Sequence, residues 1–252
     1  MRFLASLYHS GTSGIVLPAG NKSDYPDAFK QKSRLTYYSS LFNSIEINST
    51  FKKLPRHKTI ARWVTETSEA FQFTFKLSKS ITHNKNLQFA EDDVHRFLEA
   101  IHYAGSKKGC ILIQFPGKTK RDSAPQLEHL IALMQTSPLI AGWKIAVEFR
   151  HSSWYHKDIY DLLGKYHSAV VFHDLFNAPP SPEIVTGGFA YLRFHGTEQG
   201  YRGGYSEEQL AICAQRIRSW NAAGVPVYVY FNNTLGEAAG NLVTLNRMLE
   251  AD

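Results

Sequence analysis

The fold is decided by residues 110–150, CILIQFPGKTKRDSAPQLEHLIALMQTSPLIAGWKIAVEFR. Two short apolar runs, Cys110–Phe115 and Ile145–Arg150, have the length and the Ile, Val and Phe content of buried strands. Between them, apolar residues recur at helical spacing and would form one buried helix face: Leu127, Leu130, Ile131 and Met134. A strand, a helix and a second strand of this kind predict a parallel βαβ unit with a right-handed crossover.

The same alternation extends in both directions along the chain. Six further runs of strand length are Phe3–Tyr8, Ser44–Asn48, Phe71–Lys76, Ala169–Asp174, Phe189–His195 and Val227–Asn232. Helical patterns separate most of them, at Asp27–Leu41, His57–Thr67, residues 94–101, Lys157–Tyr166, residues 210–217 and Glu237–Leu249. Eight such repeats predict an α/β fold, a single (β/α)₈ TIM-type barrel that forms one domain over residues 1–252. An open doubly wound sheet is the alternative fold.

One crossover departs from this pattern. The segment 175–188, between the sixth and seventh strands, contains Pro179, Pro180 and Pro182. Proline lacks the backbone N–H that a helix interior needs, and its ring clashes with the preceding turn. We therefore expect the helix between strands six and seven to be short or missing.

Composition sets loose bounds on the partners and the compartment. The net charge of +6 and the pI of about 9.2 favour anionic partners, either a small molecule or nucleic acid. Cys110 and Cys213 have neither metal-type nor redox-type spacing, so a reduced cytoplasmic protein is the simplest interpretation. No stretch approaches the roughly 18 apolar residues of a membrane span, so no membrane association is expected.

Polar residues end seven of the eight predicted strands. They are Glu46, Asn48, Lys76, Gln114, Glu148, Arg150, Asp174, Arg193, His195, Asn232 and Asn233. Because strand side chains alternate, residues two apart share a face, as in the pairs Glu46 with Asn48 and Arg193 with His195. Such side chains are expected to meet at the carboxyl end of the barrel, where barrel enzymes carry their active sites. The alternative is a structural ion-pair network that closes the barrel top.

Ordered motifs connect these strand ends to a known family. They are GTSG (11–14), IEINSTF (45–51), FTFK (73–76), TH (82–83), QFP (114–116), EFRH (148–151) with Trp154, RFHG (193–196) and YFNN (230–233). In these segments, from about residue 11 to residue 242, the chain resembles the YecE-like family, the domain of unknown function 72. The resemblance implies a single (β/α)₈ barrel and adds His83 and Trp154 to the candidate residues. It implies no particular reaction, because that family is uncharacterised.

Four residues are the catalytic candidates: Glu46, Lys76, Glu148 and His195. The two glutamates could act as general acid and base, and His195 could shuttle protons. Lys76 could hold an anion, form a Schiff base or make a salt bridge to one of the glutamates. Neighbouring acids would raise the pKa of Lys76, which disfavours the Schiff base.

A second set of residues are the substrate-binding candidates: Asn48, His83, Gln114, Arg150, Trp154, Asp174, Arg193, Gly196, Tyr205, Asn232 and Asn233. Arg193 is suited to phosphate or carboxylate, and the glycine-rich segment 196–206 could offer backbone amides to an anion. Trp154 and Tyr205 could stack on a sugar or a base. No HxH or HxxxH pair is present, so no metal ligands are assigned, although a divalent metal built from separate strand ends stays open.

Two functions are compatible with this pattern. The leading hypothesis is an enzyme, a hydrolase or a lyase, that applies acid–base chemistry to a phosphate-bearing or other anionic substrate, including one derived from nucleic acid. The alternative is a nucleic-acid-binding barrel with little catalysis of its own. The sequence leaves open the substrate, the cofactor and the oligomeric state.

Overall fold

The structure is a computed structural model that describes residues 7–179 and 181–250. Its strands are β1 Tyr8–Thr12, β2 Ser44–Ile47, β3 Gln72–Lys76, β4 Lys108–Gln114, β5 Lys144–Glu148, β6 Ser168–His173, β7 Ala190–Phe194 and β8 Val227–Phe231. All pair in parallel, in the order β1-β8-β7-β6-β5-β4-β3-β2, and form a nearly closed barrel. The predicted TIM-type barrel is confirmed, and the open doubly wound sheet is excluded because the first strand lies beside the last.

Helices cover the outside of the strands. They are α1 Arg34–Leu41, α2 His57–Thr65, α3 Lys79–Thr82, α4 Glu91–His102, α5 Ala124–Thr136, α6 Lys157–Lys165, α7 Glu207–Ala222 and α8 Ala238–Glu250. The predicted helix at Asp27–Leu41 is too long at its N-terminus. There, Ser33 accepts a hydrogen bond from the backbone N–H of Thr36 and fixes the start of α1, and only a short 3₁₀ turn, Asp27–Phe29, precedes it.

The segment between β6 and β7 has no helix among its described residues, as predicted. It runs instead as an irregular loop with tight turns, and part of it lies beside β6. Thr186 there accepts a hydrogen bond from the backbone N–H of Val170 (3.0 Å) and donates one to the carbonyl oxygen of Ser168 (2.7 Å). The Thr186 side chain thus binds backbone groups of β6 that have no strand partner at that position in the described chain and holds the loop against the edge of β6.

The first strand lies later in the sequence than predicted. Of the predicted strand Phe3–Tyr8, residues 3–6 lie outside the described residues, and the observed β1 begins at Tyr8. Its sequence, YHSGT, is not apolar. The close approach of β1 to β2 determines which residues can stand there. A Cβ placed on Gly11 would lie 2.0 Å from the carbonyl oxygen of Ser44, so only glycine fits.

Side chains close the seam between β1 and β2. Asn43 accepts a hydrogen bond from the N–H of Ser10 and donates one to the carbonyl oxygen of Tyr8, both at 2.8 Å. The Tyr38 hydroxyl similarly joins the Thr12 N–H (2.7 Å) to a carbonyl oxygen of β2. At the top of the seam, the Gly14 N–H donates to the carbonyl oxygen of Glu46 at 2.8 Å. This arrangement brings the end of β1 against the end of β2.

The barrel interior is packed with side chains. Its buried cluster consists of Cys110, Leu112, Ala146, Ala169, Val171, Phe189, Tyr191, Tyr228 and Tyr230. A larger apolar cluster includes the outward-facing strand residues and the buried faces of the helices. The hydroxyl of Tyr230 lies 2.6 Å from Ser44 Oγ and 2.7 Å from Thr74 Oγ1, so its polar atom is satisfied inside the barrel.

Candidate active site at the barrel mouth

A polar layer covers the apolar interior at the carboxyl ends of the strands. Alternation places one residue from each strand in it, two positions beyond an inward-facing residue. The eight residues are Ser13, Glu46, Lys76, Gln114, Glu148, His173, Arg193 and Asn232. Three catalytic candidates, Glu46, Lys76 and Glu148, are therefore in one layer, and His195 follows in the same phase on the seventh strand.

Arg193 lies at the centre of this layer and is buried. Its Nε donates to Glu46 Oε2 at 2.9 Å and its Nη2 to Glu46 Oε1 at 2.8 Å. Its Nη1 donates to Oε2 of Glu148. One guanidinium thus joins strands β2, β5 and β7, and the two carboxylates neutralise it. Arg193 was expected to bind the substrate anion, but its charge is compensated within the protein.

The remaining lone pairs of Glu46 are also occupied. Ser13 donates to Oε1 at 2.5 Å, and the Tyr191 hydroxyl donates to Oε2 at 2.7 Å. Burial favours a raised pKa for Glu46, but the charge and hydrogen bonds of Arg193, with those of Ser13 and Tyr191, hold it below its ordinary value. Glu46 is therefore an ionised anchor for Arg193, with no vacant position for a substrate proton.

Glu148 keeps one oxygen near the open side of the mouth. Burial opposes its charge, but Arg193, with further help from Arg150 and His195, holds its pKa well below the ordinary value. Arg150 Nε donates to Oε1 at 2.9 Å, and the Arg150 side chain is 19% exposed. His195 Nε2 lies 3.8 Å from the same oxygen. Glu148 thus stays ionised and links the buried arginine to the rim.

The hydrogen bonds of His195 define its tautomer. The amide nitrogen of Asn232 lies 3.0 Å from His195 Nδ1 and can only donate, so Nδ1 carries the lone pair and Nε2 carries the hydrogen. Among the described residues, His195 Nε2 is buried and has no hydrogen-bond partner. Burial, with the charge of Arg193, lowers the pKa of His195. The result is a neutral imidazole whose Nε2–H can donate.

Lys76 has no acidic partner in the described part of the chain. No carboxylate oxygen lies within 4.0 Å of its ammonium, although Glu46 and Glu148 are in the same layer. Its Nζ lies 4.5 Å from the ring centroid of Phe51. Burial and the charge of Arg193 lower its pKa to about 8, against the opposing effect of the glutamates. The two acids raise this pKa, as expected from the sequence, but burial and the charge of Arg193 outweigh them and the net shift is downward.

His83 lies at the rim beside Lys76. Its Nδ1 is 2.9 Å from Thr82 Oγ1, and its ring contacts Phe51 edge-on at 4.8 Å. Burial, and then the charges of Lys76, Arg150 and Lys118, lower its pKa to about 4. A neutral His83 surrounded by three cations indicates a positive potential on this side of the mouth.

Asp174 and Tyr205 form a second network of hydrogen bonds, around the residues that follow β7. Asp174 Oδ1 accepts from the His195 backbone N–H at 2.7 Å, and the Tyr205 hydroxyl donates to Oδ2 at 2.5 Å. The Gly196 N–H donates to that hydroxyl at 2.7 Å. The amide of Gly196, expected to bind an anion, is therefore used within the protein. These three residues hold the glycine-rich segment against β7.

The other substrate-binding candidates are placed unequally. Trp154 is fully buried, stacks on Phe149 at 4.6 Å and donates to the carbonyl oxygen of Thr119, so it packs beneath the surface and offers no face to a ligand. Gln114 is buried and donates to the carbonyl oxygen of Phe115. Asn233 donates to the carbonyl oxygen of Gly203.

Asn48 shares one property with Asn233: in each, the side-chain oxygen is buried and has no hydrogen-bond partner among the described residues. Asn48 Oδ1 can therefore still accept a hydrogen bond from a ligand. Asn232 contacts His195, as described above, and so positions a candidate residue rather than facing an open space.

Two residues of the polar layer, Ser13 and His173, are absent from the sequence-based candidates, and so is Tyr191, which lies one layer below and binds Glu46. The alternation rule finds Tyr191 two residues before Arg193 and His173 two after the inward-facing Val171. His173 Nε2 lies 2.7 Å from the carbonyl oxygen of Phe149 and 3.0 Å from the Tyr155 hydroxyl. Ser13 could be found only from the observed start of β1.

Over residues 7–179 and 181–250, no three His, Cys, Asp or Glu side chains are grouped to hold a metal ion. No helix in the described ranges is both long enough and apolar enough to cross a membrane.

Comparison with known proteins gives consistent matches. YunF of Bacillus subtilis is 23% identical over 95% of this chain and 94% of its own length. YecE of Escherichia coli K12 is 28% identical over 49% of this chain and 43% of its own length. A crystal structure of a DUF72 family protein from Thermotoga maritima superposes with a TM-score of 0.78, at 28% identity, over 97% of this chain and 99% of that one.

The family model described as protein of unknown function DUF72 matches residues 9–252, which include every strand end of the barrel mouth. The sequence motifs suggested the same family. The chain belongs to the DUF72 family.

Proposed function

We propose that this protein is an enzyme that applies acid–base chemistry to a small anionic substrate, phosphate-bearing or carboxylate-bearing, at the carboxyl end of the barrel. The main support for this proposal is that one cation of the mouth, Lys76, is not neutralised by a carboxylate. Arg193 is neutralised by two carboxylates, whereas Lys76 has no carboxylate within 4.0 Å among the described residues. Lys76 is half-buried and is repelled by Arg193 and Arg150, so binding of a substrate anion beside it would be favourable.

The groups around Lys76 suggest which residues bind the anion and which one transfers protons. Arg150 is partly exposed, and its Nε donates a hydrogen bond to Glu148. Its other nitrogens can therefore bind an anion at the rim. His195 Nε2–H is the hydrogen-bond donor for a developing negative charge. Lys76 is the group whose pKa, about 8, lies near neutral pH and therefore suits proton transfer. Glu46 binds Arg193, Glu148 binds Arg193 and Arg150, and neither carboxylate exchanges protons near neutral pH because both pKa values are lowered.

Binding of inorganic phosphate to the purified protein tests the anion site. Titration monitored by NMR should show perturbed signals from Lys76, Arg150 and His195, and Arg150→Met should weaken binding by about tenfold or more, as expected for the loss of a charge-assisted hydrogen bond. Lys165→Met removes the same charge at the far end of α6, where Lys165 binds Glu128, and should leave binding unchanged. Equal weakening by both variants would mean that phosphate senses only net charge.

A nucleic-acid-binding function is the second candidate, and one feature favours it. A cleft of about 250 Å³ lies beside the mouth, between the segments that follow β3 and β4, and its lining includes Lys85, Lys118 and Lys120. Lys118 is also one of the cations near His83. Clustered lysines along one rim suit a phosphodiester backbone.

Salt dependence separates the two functions. Nucleic acid that contacts several lysines should bind with an affinity that falls steeply as the salt concentration rises. On duplex DNA, the logarithm of the binding constant falls against the logarithm of the salt concentration with a slope of about 0.9 for each phosphate contacted. Reversal of charge at Lys118 and Lys120 should then flatten that slope. Failure of single-stranded and duplex DNA and RNA to bind at low salt would eliminate this function.

A further inference from the structure

The amine of Lys76 is unusual among the lysines of this barrel. Lys107 is more deeply buried than Lys76, but its ammonium donates to the carbonyl oxygens of Val64 and Thr67 and to Thr67 Oγ1, at 2.6–2.9 Å. Lys108 donates to the carbonyl oxygen of Ala141. Within the described part of the chain, Lys76 Nζ has no such acceptor, and it lies over the face of the Phe51 ring. It is therefore a half-buried amine whose nitrogen makes no hydrogen bond to the described residues.

The surroundings of Lys76 disfavour its protonated form. Arg193 faces it from β7, Arg150 from the end of β5, and both add positive charge. His83, beyond the end of α3, is neutral near pH 7 and supplies no compensating charge. Glu148 from β5 and Glu46 from β2 act in the opposite direction, but each is bound to arginine. With a pKa of about 8, roughly a tenth of the amine is unprotonated at pH 7.

We infer that Lys76 is a nucleophile that forms an imine with an aldehyde or ketone group of the substrate. This inference rests on the proposed function and names its substrate class, a carbonyl compound that also carries an anionic group. Arg150, at the rim, would hold the anionic group while the carbonyl carbon reaches Lys76. A lysine in an apolar and cationic environment at the end of a barrel strand has the properties that imine-forming amines require.

The covalent step balances without a cofactor. The lone pair of Nζ attacks the carbonyl carbon, and the addition product loses water, whose oxygen comes from the carbonyl and whose hydrogens come from the amine. The product is a C=N bond between Lys76 and the substrate carbon. His195 Nε2–H can donate a hydrogen bond to the carbonyl oxygen as negative charge develops on it. Protonation of the imine makes it an electron sink for cleavage of an adjacent bond, which favours a lyase over a hydrolase.

Reductive trapping tests this inference on the unmodified protein. Glyoxylate, a small aldehyde with a carboxylate, is incubated with the protein and sodium cyanoborohydride, and the modified lysines are located by peptide mass spectrometry. At pH 7 the unprotonated fraction of Lys76 exceeds that of an ordinary lysine by on the order of a hundredfold, so Lys76 should be labelled at least about tenfold faster than the exposed Lys157. The labelling rate should rise up to a pH of about 8 and then level off.

Two comparisons make the result specific. Lys76→Arg keeps the positive charge and should remove the preferred label while the other lysines react as before. Inorganic phosphate should slow the labelling of Lys76 alone. Labelling spread over surface lysines, without preference for Lys76, would overturn the inference.

The same data separate this inference from the proposed function. If phosphate binds in an Arg150-dependent manner but Lys76 is not preferred, Lys76 is only a cation of the anion site, and the imine is ruled out. If Lys76 is labelled first but phosphate neither binds nor protects it, the nucleophile is supported and the anion site fails.

Discussion

Arg193 binds both carboxylate oxygens of Glu46, a residue 147 positions earlier in the sequence, across the interior of the barrel. The pair joins the second strand to the seventh at the level of the polar layer. Both side chains are essentially inaccessible, at 1% and 0% exposure. Their contact is thus an internal tie between two walls of the barrel, and its removal leaves a buried charge incompletely compensated.

Replacement of Glu46 by glutamine should destabilise the fold strongly. Removing one partner of a buried ion pair costs about 3–5 kcal/mol, and the free energy of unfolding in urea should fall by that order. Asp161→Asn is the matched control, because Asp161 pairs with Lys157 on the surface, at 61% and 82% exposure. Its effect should stay below about 1 kcal/mol. Similar small losses in both variants would show that Arg193 does not depend on Glu46.

Replacement of Lys76 by methionine should change how stability depends on pH. The folded pKa of about 8 lies below the ordinary 10.5, so between these values the unfolded chain holds more protons than the folded protein. The free energy of unfolding of the wild type should therefore gain up to about 3 kcal/mol from this group as the pH rises through that window. The penalty for the buried charge is fully present below pH 8.

The difference between wild type and Lys76→Met is the quantity to measure, by urea unfolding at pH 7.5 and pH 10. The variant should be the more stable protein at the lower pH, and the difference should shrink at the higher pH. Tyrosines titrate in both proteins and cancel. A difference that stays constant with pH would contradict a lowered pKa at Lys76.

The eight-fold pattern could be predicted because parallel strands buried on both sides are apolar throughout. The predicted first strand was misplaced for the same reason. The observed strand YHSGT is selected by the close approach of Gly11 to Ser44 and by hydrogen bonds from Asn43, and neither leaves an apolar signature. Sequence periodicity reports burial, and it does not report backbone contacts between neighbouring strands.

The candidate site shows a similar division. Alternation alone assigns Arg193 to the mouth, but only the structure shows that two carboxylates neutralise it and leave Lys76 unpaired. Trp154 follows a strand end in the sequence, yet it is fully buried. Its indole N–H donates to the carbonyl oxygen of Thr119, so its polar atom is satisfied away from water. Partner choice among charged residues depends on three-dimensional distances, which spacing in the sequence does not encode.

Replacement of Asn232 by aspartate should raise the pKa of His195. The amide of Asn232 donates to Nδ1 and supports the neutral ring, whereas a carboxylate there would accept a hydrogen and favour the imidazolium. Nitrogen-15 NMR of labelled histidine should show the Nε2–H tautomer in the wild type, and a pKa above the ordinary 6.5 in the variant. Asn233→Asp is the adjacent control, since Asn233 bonds to Gly203, and it should leave His195 neutral at pH 7.

Gly196 and Gly200 provide a matched pair for the glycine-rich segment. Both have positive φ, 99° and 81°, so alanine at either position carries the left-handed penalty of about 1–2 kcal/mol. A Cβ on Gly196 would in addition lie 2.0 Å from the carbonyl oxygen of Arg202, whereas the described residues leave the space around Gly200 open to 4 Å. Gly200→Ala should therefore show the conformational penalty alone.

Gly196→Ala should cost clearly more than Gly200→Ala in urea unfolding, because the backbone at Arg202 must move. That movement would disturb the hydrogen bond from the Glu198 N–H to Arg202 and the one from the Gly196 N–H to Tyr205. Since Tyr205 also binds Asp174, which accepts from the His195 backbone, Gly196→Ala should shift the His195 ring signals in NMR and Gly200→Ala should not. Equal stability losses with an unperturbed His195 in both variants would show that this segment is not coupled to the barrel mouth.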